Sequence, residues 1–166
     1  MRYLSQRFST YNPRVAGLLT DIGTEELAHL EMIGAIVRQL TKGLSAKELE
    51  AAGFAPYYID HTASVWPQAA GGVPFSATEF QCTGDAIADL VEDMAAEQKA
   101  RKTYDNILRL AKDPEVADPI RFLRAREIVH FQRFGEALRM VQEDLDSKNF
   151  YAFNPDFDCH KKNKQQ

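Results

Sequence analysis

Three segments of the chain place apolar residues at alternating spacings of three and four, which is the pattern of one buried helix face. Counted in this way, the first stripe consists of Val15, Leu18, Ile22, Glu26, His29, Ile33, Ile36 and Leu40. Six of these residues are aliphatic, as a core-facing helix requires. A carboxylate and an imidazole nevertheless stand at the centre of the stripe, so this helix is predicted to direct polar groups into a core.

Capping and breaking residues delimit the helices that the stripes predict. Asn12-Pro13 is an N-cap followed by proline at the first helical position, and Asp118-Pro119 repeats this pair. Ser45 and Glu48 have the spacing of a capping box. The predicted helices run from Pro13 to about Thr41, over 45–53, from Asp85 to about Ala111 and from Pro119 to about Asp146. Residues 54–84 are rich in proline and glycine and lack a helical period, which favours a functional or interfacial loop.

The other two long helices repeat the anomaly of the first. The third carries Ile87, Leu90, Met94, Glu97, Arg101, Tyr104 and Leu108, and the fourth carries Ile120, Leu123, Glu127, His130, Phe134, Leu138 and Val141. Each of the three stripes therefore includes a glutamate. Two of them add a histidine three residues later, in the pairs Glu26-x-x-His29 and Glu127-x-x-His130.

This spacing brings the two side chains of each pair to one place. Three residues advance a helix by about 300°, so the glutamate and histidine lie about 60° apart on one face and one turn apart. An isolated buried carboxylate would cost many kcal/mol, against a typical net stability of roughly 5–15 kcal/mol for a whole domain. Inward glutamates must therefore be protonated, paired with cations or bound to metal. Two E-x-x-H pairs with further glutamates match the ligand set of ferritin-like carboxylate bundles.

Other interpretations of the same residues remain open. Arg101 stands one turn from Glu97 and could form a buried salt bridge without any metal. The aromatic residues and methionines of the stripes are most simply core. His61 and His160 are expected at the surface or at an interface. Oxygen ligands with two imidazoles suit manganese or iron, whereas no thiolates are placed for a structural zinc site.

Composition limits the class of protein. The 166 residues are 45% hydrophobic and 27% charged with a net charge of −4, which fits one globular domain. No basic face indicates nucleic-acid binding, and no apolar run has the length of a membrane span. Cys82 and Cys159 stand far apart without a CxxC partner, which favours a reducing, cytoplasmic compartment and no catalytic thiol. The predicted organisation is a bundle over 1–146 and an aromatic tail over 147–166.

Three segments of the chain resemble a known protein family. They are DIGTEELAHLEMIGAIV (21–37), GDAIADLVEDMAAEQKARKTYDNIL (84–108) and IRFLRAREIVHFQRFGEAL (120–138). They are similar to the dimanganese catalases, most closely to the spore coat catalase-like branch from endospore-forming bacteria, over nearly the whole chain. The resemblance implies an all-α, ferritin-like four-helix bundle with two manganese ions.

The resemblance also implies roles for individual residues. Glu26, His29, Glu97 and His130 match metal ligands, and Glu127 matches an acid/base group that moves protons beside the metals. Tyr3 matches a tyrosine that hydrogen-bonds a ligand carboxylate. In the family a further bridging glutamate stands about two helical turns before this tyrosine, a position that would precede Met1. The first helix is thus expected to be truncated, unless the sequence begins late.

Members of the family disproportionate hydrogen peroxide into water and dioxygen, and they form hexamers. The resemblance therefore implies peroxide as substrate and a homo-oligomer, with subunit contacts at residues 54–84 and in the tail. Two other functions remain open: an inert or weakly active structural subunit that binds other spore coat proteins, and a di-iron ferritin-like oxidase. The expected location is the cytoplasm or the spore coat.

Overall fold

The computed structural model describes residues 1–55 and 75–146, and all its regular elements are helical over these ranges. The elements are α1 (Arg2–Gln6), α2 (Pro13–Thr41), α3 (Ala46–Ala51), a 3-10 turn (Ala77–Phe80), α4 (Ala86–Leu110) and α5 (Pro114–Asp146). The predicted all-α, ferritin-like class is confirmed. Within the described ranges, no helix has both the length and the apolarity needed to cross a bilayer.

The helices begin where the capping residues predict, with one exception. The Asn12 side chain accepts hydrogen bonds from the backbone N–H groups of Arg14 and Val15. The capping box of Ser45 and Glu48 is formed, and Asp85 caps α4 in the same manner as Asn12 caps α2. These contacts satisfy backbone donors that have no partner inside the helix.

The predicted start of the fourth helix at Asp118-Pro119 is wrong. Helix α5 begins one turn earlier, at Pro114, and passes through Pro119. Asp113-Pro114 is a second cap-and-proline pair, and Asp113 Oδ1 accepts the Glu115 N–H at 2.9 Å. Proline removes only one helical hydrogen bond this close to the helix start. The added turn in return buries Ala117.

Helix α1 is held among the three long helices. Helices α4 and α5 pack along each other, and α2 packs on both α5 and α1. Leu4 of α1 lies against Gly23 of α2, where an added Cβ would come within 2.7 Å of Leu4 Cγ. The Tyr3 ring meets the Phe134 ring of α5 edge-on, with 4.8 Å between centroids. The short helix α1 thus lies where the sequence predicts the first helix of the bundle.

The apolar core lies mainly at one end of the bundle. Its buried members are Tyr3, Val15, Leu19, Ile22, Leu90, Phe134, Ala137 and Val141. The predicted buried stripe on α2 is correct at its centre but wrong at its end. Leu40 is 53% exposed, and the neighbouring Thr41 is buried instead. His61, His160, Cys159, the tail 147–166 and most of the loop 54–84 lie outside the described residues. Cys82 is exposed and unbridged.

Candidate metal centre

Helices α2 and α5 bring both E-x-x-H pairs together. Glu26 and His29 come from α2, and Glu127 and His130 come from α5. Each offers one ligand atom to a group whose members all lie within 4.8 Å of one another. His130 Nδ1 is 2.8 Å from Glu26 Oε1, and His29 Nδ1 is 3.2 Å from Glu26 Oε2 and 3.6 Å from Glu127 Oε1. The two imidazole rings stack with centroids 5.5 Å apart.

Helix α4 adds Glu97 to this centre. Glu97 Oε2 lies 3.5 Å from His130 Nδ1, and the other oxygen of this carboxylate, Oε1, accepts a hydrogen bond from the Tyr3 hydroxyl. Only 1% of Glu97 is exposed. Tyr3 therefore fixes one oxygen of the carboxylate and leaves the second directed toward the histidine.

The open alternative for Glu97, a salt bridge to Arg101, is wrong. Arg101 pairs with Asp105 at 2.7 Å and donates to Gln98 at 2.8 Å, both on its own helix. The guanidinium group thus turns away from the centre, and Glu97 keeps Tyr3 and His130 as its neighbours.

Glu25 fixes the far side of His130, and the sequence interpretation missed it. Glu25 Oε2 lies 2.8 Å from His130 Nε2, so the imidazole can donate there and present Nδ1 to the centre. Arg126 donates to the same carboxylate from α5, and Arg133 lies 3.7 Å from it. Such a carboxylate behind a histidine sets the tautomer and orientation that metal ligation needs. The sequence gives only an indirect signal for Glu25. Arg126 and Arg133 lie seven residues apart on α5, and Glu25 is an acidic residue next to the α2 stripe that could pair with them.

Four polar atoms at this centre are buried without a hydrogen-bond partner: Glu26 Oε1, Glu97 Oε2, Glu127 Oε1 and His130 Nδ1. The short distance between Glu26 Oε1 and His130 Nδ1 lacks the orientation of a hydrogen bond. Buried polar atoms normally have partners, because each unmet group costs about 1–3 kcal/mol. Three carboxylate oxygens and one imidazole nitrogen converging in this way match the donors that a hard or intermediate divalent cation prefers. The residues present therefore fit a metal site.

The acidic surroundings hold protons on the two histidines. Burial disfavours the charged imidazole, but Glu127 and Glu26 outweigh it and raise the pKa of His29 to about 9. At His130 burial is likewise outweighed, by Glu26, Glu97 and Glu25, and the pKa rises to about 10. A bound cation would take over this charge balance and release the protons.

The carboxylates at the centre differ from one another. Burial raises the pKa of Glu97 to about 7, with the charge of Glu127 adding to the shift. At Glu26 burial acts in the same direction, but the close imidazoles of His130 and His29 prevail and lower the pKa to about 2. Burial, followed by the charge of Glu97, strongly raises the pKa of Tyr3, which keeps its hydroxyl a donor. The centre thus combines a firmly ionised carboxylate with one that gains and loses protons near neutral pH.

The three long helices direct glutamates and two histidines to one buried point. This arrangement is typical of the ferritin-like carboxylate–histidine proteins. Within this class, the chain belongs to the family of manganese-containing catalases, whose model matches residues 1–156.

Relatives and solved structures agree with this assignment. Protein CotJC of Bacillus subtilis (strain 168) is 49% identical over 91% of this chain and 79% of its own length. A probable manganese catalase of Clostridium acetobutylicum is 33% identical over 90% of this chain and 67% of its own. The crystal structure of KatB, a manganese catalase from Anabaena, superposes with a TM-score of 0.73 at 30% identity and covers 84% of this chain. The match spans 63% of the KatB chain, less than two thirds of its length.

Proposed function

We propose that this protein binds two manganese ions at the centre formed by α2, α4 and α5 and disproportionates hydrogen peroxide to water and dioxygen. The observation that carries the proposal is the convergence of four unpartnered buried atoms, three from carboxylates and one from an imidazole. Family membership supports manganese over the iron alternative.

Four residues are proposed to hold the ions: Glu26, His29, Glu97 and His130. Glu26 faces both histidines, with one oxygen toward each, so both of its oxygens would be available as metal ligands. His130 presents Nδ1 because Glu25 occupies its Nε2. Glu97 presents Oε2 because Tyr3 occupies its Oε1.

The proposed reaction needs electrons and protons to move between two peroxide molecules. Manganese, when bound, would supply redox chemistry that stores the two electrons exchanged between the peroxides. The peroxide that is oxidised releases two protons, and the peroxide that is reduced takes up two. A protein group that accepts a proton and returns it can couple these halves.

Glu127 is proposed as that group. It is buried, and its Oε1 lies 3.6 Å from His29 Nδ1 without a hydrogen-bond partner. A carboxylate in this position can take a proton from a peroxide oxygen and later donate it to the oxygen that leaves as water. Leu123 and Phe134, both fully buried, lie on either side of Glu127 along the same helix.

A structural spore coat subunit is the second candidate. The 49% identity to Protein CotJC exceeds the 33% identity to the probable manganese catalase. This difference favours the spore coat branch that the motifs resemble, in which weak activity and binding to other coat proteins would be the main properties. Hexamer formation is likewise proposed from the resemblance.

Metal analysis and oxygen evolution test the proposal. After expression with manganese, the wild-type protein should retain about two manganese ions per chain and evolve dioxygen from peroxide. Expression with iron is the comparison, and it tests the di-iron alternative. Glu127→Gln should keep its manganese and lose about 10²–10⁴-fold in turnover, the usual contribution of a general acid/base. Glu136→Gln, on the exposed side of α5, is the matched control and should behave as wild type.

Two results would contradict these assignments. A manganese-loaded wild-type protein that evolves no dioxygen rejects the catalase function and leaves the coat subunit. Full turnover by Glu127→Gln rejects the proton-relay role alone.

A further inference from the structure

Helix α1 is joined to helix α4 by two side-chain hydrogen bonds. The Tyr3 hydroxyl donates to Glu97 Oε1, and Gln6 Nε2 donates to Asp93 Oδ1 at 3.0 Å. The donors are three residues apart on α1 and the acceptors are four residues apart on α4, in opposite chain directions. Each bond therefore lies about one helical turn from the other.

The second bond is as deeply buried as the first. Gln6 is 1% exposed and Asp93 is fully buried. Because both side chains are buried, losing one partner leaves the polar atom of the other without this hydrogen bond. Burying an amide and a carboxylate costs desolvation free energy, which apolar side chains at the same positions would avoid.

Helix α1 cannot hold its own position. It has five residues, far below the roughly 12–15 residues at which an isolated helix becomes even marginally stable in water. Leu4 packs on Gly23 of α2 and Arg2 donates to Gln81, but on α4 the Tyr3 bond alone would fix only one point of α1. A slip of one residue would rotate its side chains by about 100°. That rotation would carry the Tyr3 hydroxyl away from Glu97.

We propose that Gln6 and Asp93 are positioning residues that set the register of α1 on α4, so that Tyr3 holds Oε1 of Glu97 and leaves Oε2 for the metal. This inference rests on the proposed manganese site. Asp93 touches neither substrate nor metal in this role and acts through Tyr3 and Glu97.

A double-mutant cycle separates positioning from a general loss of stability. The full chain is compared as wild type, Asp93→Ala, Tyr3→Phe and the double variant, with the manganese dissociation constant measured by competition with a chelator. Asp93→Ala and Tyr3→Phe should each weaken manganese binding about tenfold, the lower end of the range for groups that orient metal ligands. The double variant should bind no more weakly than Tyr3→Phe alone, because Asp93 acts through Tyr3.

Two further variants control this cycle. Asp93→Asn keeps an acceptor for Gln6 and should restore the wild-type dissociation constant. Asp89→Ala removes another buried carboxylate one turn earlier on α4, whose partners are Thr83 and Gly84 rather than α1. It should lower the stability of the fold and leave manganese affinity unchanged.

Additive losses, about 100-fold in the double variant, would overturn the inference, since Asp93 would then act independently of Tyr3. Wild-type manganese affinity in Asp93→Ala would also overturn it, because the packing of Tyr3 on Phe134 would then be enough to hold the Tyr3 hydroxyl at Glu97. If Asp93→Ala does not fold, Gln6→Met removes the same hydrogen bond from the other side and replaces it in the cycle.

A metal-free measurement distinguishes this inference from the proposed function. Amide hydrogen exchange reports α1 directly through the N–H groups of Ser5 and Arg7, which bond to Met1 and Tyr3 carbonyls at 3.1 Å. Their protection should fall in metal-free Asp93→Ala and return in Asp93→Asn. Unchanged protection in Asp93→Ala refutes the register role, whereas a wild-type protein that binds no manganese refutes only the metal site.

Discussion

Replacing Gly23 by alanine should show how closely α1 must lie against α2. A Cβ at this position would be 2.7 Å from Leu4 Cγ, 2.8 Å from Leu4 Cδ2 and 3.3 Å from the Leu4 backbone nitrogen. The last contact means that a side-chain rotation of Leu4 cannot relieve all of the overlap. The backbone of α1 must therefore move away from α2.

Gly17 provides a matched control in the same helix, because a Cβ there would have no atom within 4 Å. Alanine in place of a helical glycine stabilises a protein by about 0.5–1 kcal/mol when nothing opposes it. Gly17→Ala should show this gain. Gly23→Ala should have the same helical gain but lose about 1–3 kcal/mol of unfolding free energy to overpacking. The unfolding free energies of the two variants should therefore differ by about 1–3 kcal/mol.

Urea unfolding followed by far-UV circular dichroism measures this difference, and chelator competition measures manganese affinity in the same samples. Because Leu4 adjoins Tyr3, Gly23→Ala should also weaken manganese binding, while Gly17→Ala should not. Equal stabilisation by both alanines would refute the reasoning, since α1 would then not be packed on Gly23. A destabilised Gly23→Ala with unchanged manganese affinity would refute the link between α1 and the metal centre.

Three further predictions address the centre and its surroundings. Glu25→Gln should weaken manganese binding about 10–100-fold by loosening His130, whereas Glu143→Gln, which removes an exposed pair with Arg139 on its own helix, should not; chelator competition measures both. Burial raises the pKa of Asp93 from 3.8 to about 7, against opposing effects of Gln6 and Arg2 and with Asp89 and Glu92 adding to the shift. The folded protein therefore binds this proton more tightly than the unfolded chain, and the resulting stability is lost as pH rises from about 4 through 7. Asp93→Asn should make urea stability less dependent on pH over that range, and an unchanged slope would contradict the shift. Manganese at 100 times its dissociation constant should stabilise the fold by about 2.7 kcal/mol for each ion bound, measured as a higher unfolding temperature that EDTA reverses.

The sequence predicts the positions on each helix better than the partners between helices. Spacings of three and four fix which residues share a face, so Glu26, His29, Glu127 and His130 could be grouped from their spacing alone. The same spacing does not predict the burial of the last turn of α2. Leu40 lies within about 20° of Val15 around the helix axis, yet Leu40 is exposed and Thr41 is buried, so burial at this end depends on how the neighbouring elements cover α2.

Glu25 and Asp93 show what periodicity cannot supply. Glu25 precedes Glu26 and points about 100° away from it, so its role depends on where α5 places His130 and Arg126. Asp93 stands in a second row on α4, in which Asp89, Asp93 and Glu97 follow at intervals of four. The last residue of this row, Glu97, also belongs to the apolar stripe of α4. An acidic row that shares a residue with a buried stripe could have indicated that Asp93 is buried as well. Its partner, Gln6, is unrelated in sequence and is placed by the short helix α1.

The order of layers along α5 explains why so polar a centre can lie inside the bundle. Ala117, Ile120 and Leu123 are buried on one side of the centre, and Phe134, Ala137 and Val141 are buried on the other. These two apolar layers carry the packing of the fold, and they lower the local dielectric so that charges between them interact strongly. Replacing such charged groups by apolar residues often leaves a protein as stable or more so. The polar layer therefore costs stability that the apolar layers offset, and a cost of this kind is expected where the buried groups bind a cation rather than where they support the fold.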